Sequence, residues 1–61
     1  MNETLRYSVV ANVVCIAMVF ELEDAIKIAK LFRADVFDDE DNWKEVFNYQ
    51  KWFLGEYNAI Y

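Results

Sequence analysis

An α+β fold is what this sequence predicts, with one helix laid on a small antiparallel sheet. Three observations point to it. Residues 5–10 alternate in polarity, and 13–20 are apolar throughout. Apolar residues then recur at helical spacing from Leu22 to Phe32, and strand character returns at Val36 and Phe37. The expected order is ββαββ, with strands at about 5–10, 13–20, 34–38 and 43–49, a helix at about 21–33 and a tail at 50–61. At 61 residues the chain, 1–61, is a single domain.

Along the first strand Leu5, Tyr7 and Val9 face one way and Arg6, Ser8 and Val10 the other, as a pleat of period two requires. Ala11-Asn12 is the place for a tight turn, because Asn tolerates positive φ. In the second strand Val14, Ile16, Met18 and Phe20 line one side and Cys15, Ala17 and Val19 the other. A strand apolar on both faces is expected in the middle of a sheet or against a partner. Cys15 then reads as a small buried hydrophobe.

The run from Ser8 to Phe20 has 13 residues. A spanning helix needs about 20. Asn12 interrupts the run, and Glu21, Glu23 and Asp24 follow it. A β-hairpin is therefore the expectation and a small membrane-associated protein an alternative.

The segment ELEDAIKIAKLFR, 21–33, places Leu22, Ala25, Ile26, Ala29 and Phe32 on one stripe, widened by Ile28 and Leu31. Glu23 and Lys27 form a favourable i,i+4 pair. Acids open this helix while Lys30 and Arg33 close it, which complements its dipole.

The last third supports two readings. As a strand, about 43–49 pairs back on 34–38, and Val46, Phe47 and Tyr49 suit that role. As a helix from about 42 to 54, Asn42 caps with Glu45 three residues on, and Gly55 ends it, giving ββαβα. The strand completes a fuller sheet and is the expectation; 50–61 is then a tail or a short helical turn.

Composition bounds the function. Hydrophobic residues make up 57% of the chain and aromatics 18%, more apolar surface than so small a body hides alone. A homo-oligomer, most simply a dimer, is expected on that ground. The net charge is −5, with six Lys and Arg against eleven Asp and Glu. That balance argues against direct binding of nucleic acid or an anionic membrane and for a protein partner with a basic surface. A single Cys suits a reducing cytoplasm.

The chemistry of catalysis is missing from the composition, so the expectation is not an enzyme. No histidine is present to serve a triad or act as base, and Gly55 alone makes no phosphate loop. Asp38, Glu40 and Asn42 alternate as in a calcium loop, but Trp43 and Tyr49 stand where that loop needs Gly and Glu. No cofactor and no metal are expected. Asn2-Glu3-Thr4 has the form of a glycosylation sequon and is read as chance.

Two features remain as candidate binding surfaces. Asp35, Asp38, Asp39, Glu40 and Asp41 crowd a predicted turn. They are either a solvated turn that blocks edge pairing or an acidic patch that imitates a row of phosphates in the basic groove of a partner. Glu21, Glu23 and Asp24 extend that patch if they lie on the same side. The aromatics Trp43, Phe47, Tyr49, Trp52, Phe53, Tyr57 and Tyr61 exceed what one helix covers. Of these, Tyr49, Trp52, Phe53 and Tyr57 are expected to meet a target protein or a second copy.

In size, acidity and order of elements, the stretches YSVVAN, LEDAIKIAK and ADVFDDEDNWKEVF give residues 6–49 a resemblance to small early proteins of bacteriophages and mobile elements. The resemblance implies a protein that binds and inhibits a host or defence protein in the host cytoplasm. A structural or assembly protein that oligomerises through its aromatic surface is the alternative.

Overall fold

A computed structural model describes residues 5–57. Four antiparallel strands form one sheet: β1 (Tyr7–Ala11), β2 (Val14–Val19), β3 (Asp35–Asp38) and β4 (Lys44–Phe47). Helix α1 (Leu22–Phe32) joins β2 to β3, and a short helix, α2 (Tyr49–Phe53), follows β4. The class is α+β and the order ββαββ, with α2 appended. The strand order across the sheet is β2-β1-β3-β4.

β1 and β2 are joined at Asn12 and Val13, which both adopt left-handed backbone, φ 53° and 59°. The turn thus sits one residue later than Ala11-Asn12. Two consecutive left-handed residues match the twist of a hairpin. Asn accepts that conformation readily, whereas β-branched Val does not. Val13 is 97% exposed and gains no packing in return.

β2 lies at the edge of the sheet, not at its centre. The crossover through α1 carries the chain past β1, so β3 takes β1's free side and β2 keeps only one neighbour. Cys15, expected inside, is exposed for this reason.

The register defines the two faces. Val9 stands between Ala17 and Val36, and Val36 is opposite Phe47. This row lies under the helices. Val9, Ala25, Ile26, Ala29, Ala34, Val36 and Phe47 form the buried core. Three of those seven are alanines, which lets α1 lie close on the sheet. Phe32, the last residue of the expected stripe, is exposed beside the helix end. Glu21 precedes α1 without a side-chain cap, and Glu23 meets Lys27 at 3.9 Å.

The tail is used. Asn48 caps α2 by accepting a hydrogen bond from the Lys51 N–H. The Trp52 ring lies 6.3 Å from Phe47, with the Lys30 ammonium over its face at 4.7 Å. Tyr57 stacks on Phe47 at 5.7 Å, and its hydroxyl accepts from the Asn48 N–H at 2.9 Å. α2 therefore shares the face covered by α1. The opposite face carries the row Met18–Ser8–Phe37–Glu45 and, among the described residues, no helix. Ser8 is buried there between larger neighbours, and its hydroxyl has no hydrogen-bond partner among the described residues. No helix among those residues is long and apolar enough to cross a membrane.

Candidate protein-binding surfaces

The register fixes which charged residues share an end of the sheet. Tyr7, at the start of β1, faces Val19 on one side and Asp38 on the other. β2 and β3 therefore finish at the same end. From that end α1 sets out with Glu21, Glu23 and Asp24, and there too the chain makes one turn of 3-10 helix at Asp39–Asp41. The two acidic clusters flank β1, on strands about 10 Å apart.

Within this end the acids divide by role. Asp38 is only 5% exposed. It accepts hydrogen bonds from Nε and a terminal nitrogen of Arg6 at 2.9 and 2.8 Å, and from the Glu40 N–H at 3.0 Å. The hydrogen bonds from Arg6 hold its carboxyl below the usual range, and the Glu40 amide and nearby Lys44 act in the same sense against desolvation. Asp38 thus ties β1 to β3 and caps the 3-10 turn. Glu21, Glu23, Asp24, Glu40 and Asp41 are exposed, and Asp39 is half-buried. Trp43 stands next to them at φ 58°, 56% exposed.

Asp35 is not part of this group. It begins β3, at the far end of that strand, and accepts from the Tyr49 N–H at 2.9 Å. Its carboxylate joins α2 to the sheet. Arg33 and Lys51 lie at this second end. The molecule is consequently polarised, with carboxylates concentrated at one end.

Of the four aromatics singled out by the sequence, Tyr49, Trp52 and Tyr57 are half-buried against the core, and Phe53 is 71% exposed. Phe53 lines a shallow depression with Arg33 and Tyr49. Leu31, Phe32 and Leu54 add exposed apolar surface on the neighbouring helix ends. Sequence reasoning missed these three. The signal was available for Phe32 and Leu31, which fall in the last turn of a helix whose sheet is only a few residues wide. Tyr61 and the 2–4 sequon lie outside the described residues.

Among the described residues no group of three or more potential ligands is placed to hold a metal ion. No protein-family model matches the chain, and neither a curated protein nor a solved structure matches it. The fold and its surfaces define a small α+β domain with a carboxylate-rich end.

Proposed function

We propose that this is a small acidic binding protein, not an enzyme, that presents its carboxylate-rich end to the basic surface of a partner protein and inhibits it. The partner's surface is one that otherwise receives nucleic-acid phosphates. In the setting implied by the resemblance above, that partner is a host or defence protein in the host cytoplasm.

The observation that carries this reading is the convergence of Glu21, Glu23 and Asp24 with Asp39, Glu40 and Asp41 at one end of the sheet. Of the two cations at this end among the described residues, Arg6 is already occupied by Asp38, and Lys44 stands opposite Asp38 in β4. The six remaining carboxylates outnumber Lys44, so the field at this end is negative. Phosphate contacts dominate the affinity of a basic groove, so clustered carboxylates on a folded support compete for it. Exposed Trp43 adds an aromatic anchor of the kind enriched at hot spots.

The test is capture of a partner at low salt by the immobilised protein, followed by elution with a duplex oligonucleotide. A partner released by the duplex and by salt, and lost when Glu23→Gln, Asp39→Asn, Glu40→Gln and Asp41→Asn are combined, supports the reading. Retention by that variant, with circular dichroism confirming the fold, overturns it.

A further inference from the structure

We infer that β2 pairs edge to edge, antiparallel, with β2 of a second copy, joining two four-stranded sheets into one of eight strands. This stands independently of the acidic-end reading.

The argument begins with what an exposed edge must avoid. An edge strand offers a row of unpaired N–H and C=O groups, and monomeric proteins blunt such edges with charge, proline, shortness or a β-bulge. The edge at β4 follows that rule, with four residues that include Lys44 and Glu45. The edge at β2 is blunted only by a bulge, where the register passes from Ala17 to Cys15 and leaves Ile16 as the extra residue; its six residues, VCIAMV, contain no charge and no proline. Val14, Ile16 and Met18 are all exposed on it. Apolar side chains on both faces suit a strand with neighbours on both sides. A second β2 supplies the missing neighbour and moves the strand from the rim to the middle.

Charge confines the approach of a second copy to this strand and sets its direction. The chain carries −5, so two copies repel wherever their acids meet. β2 is the neutral stretch along which they can approach. Parallel pairing sets the two acidic ends side by side. Antiparallel pairing about a two-fold axis sets the acidic end of each copy beside the end of the other that carries Arg33. That axis leaves the helices of both copies on one face and makes the uncovered faces continuous. The turn at Asn12–Val13 is short enough not to obstruct the edge.

The experiment is sedimentation equilibrium over a range of protein concentrations, with amide hydrogen exchange of the wild-type chain at low and high concentration. The expected result is a dimer whose formation slows exchange within 14–19 while leaving β4 unchanged. Ile16→Lys places a charge on the edge and should raise the dimer dissociation constant by at least about tenfold. Phe53→Ala should leave it unaltered. Should Ile16→Lys not fold, Val14→Lys serves the same purpose, and the exchange measurement needs no variant. A monomer at every concentration overturns the inference, as does a dimer without added protection in β2, or one dissolved by Phe53→Ala and not by the edge lysine.

Discussion

The Arg6 guanidinium grips the Asp38 carboxylate with two hydrogen bonds, at 2.9 and 2.8 Å, across 32 residues of sequence. This pair closes the first strand on the third. It also removes from the acidic end the one carboxylate that is nearly buried.

The pairing has a signed pH dependence. Because the folded-state pKa of Asp38 is lowered, its contribution to stability is complete above its unfolded value, near 3.8, and is lost as pH falls through the folded value. Arg6 is raised further from neutrality and stays charged throughout. Urea unfolding at pH 7 and pH 3 should show the parent losing stability on acidification and Asp38→Asn losing less. Equal losses in the two proteins would contradict the assignment.

Val13 occupies left-handed backbone with its side chain in water. Left-handed geometry costs an L-residue about 1–2 kcal/mol, and glycine escapes that cost at some expense in unfolded-chain entropy. Val13→Gly is therefore expected to stabilise the protein by about 0.5–1 kcal/mol, seen as a higher urea midpoint at unchanged slope.

Phe47 is fully buried and receives the rings of Trp52 and Tyr57. Truncating a buried Phe to Ala costs about 3–5 kcal/mol. A domain of this length holds only about 3–9 kcal/mol in total. Phe47→Ala should leave a largely unfolded chain by near-ultraviolet circular dichroism.

The Tyr57 hydroxyl is the acceptor for the Asn48 N–H, immediately before α2. Tyr57→Phe retains the ring that stacks on Phe47 and removes the hydroxyl that accepts from Asn48. A loss of about 1 kcal/mol is expected, measured by denaturant unfolding, with faster exchange of the Asn48 amide.

Ser8 presents the opposite case, since its buried hydroxyl has no partner to lose among the described residues. Ser8→Ala should be neutral or stabilising, by up to about 1 kcal/mol. A clear destabilisation in thermal unfolding would mean that the hydroxyl is bonded in solution.

How far the sequence disclosed this molecule depends on the range of each interaction. α1 was legible because Leu22, Ala25, Ile26 and Ala29 write its buried stripe within two turns. The hairpin of β3 and β4 was legible from composition and a short connection. Strand order was not, since nothing local reveals which side of β1 the crossover will reach. That is why β2 read as central and Cys15 as buried. The last third mixed its signals: the helix is real but begins after β4, capped by Asn48 where Asn42 had looked suitable. Asn42 instead takes φ 53° in the turn. At the acidic cluster, residue identity showed the charge. Only the register separates Asp35 and Asp38, which hold the fold, from the acids that face solvent.

The placement of β1 between β2 and β3 also gives one strand both a local and a long-range partner. The hairpin of β1 and β2 involves neighbours in sequence and closes within microseconds. The other flank is filled by β3, which the chain reaches only after α1, so Tyr7 meets Asp38 and Val10 meets Asp35 across a long loop. Closing that loop is the entropic toll of this topology, and the contacts of α1 with the sheet are what offset it.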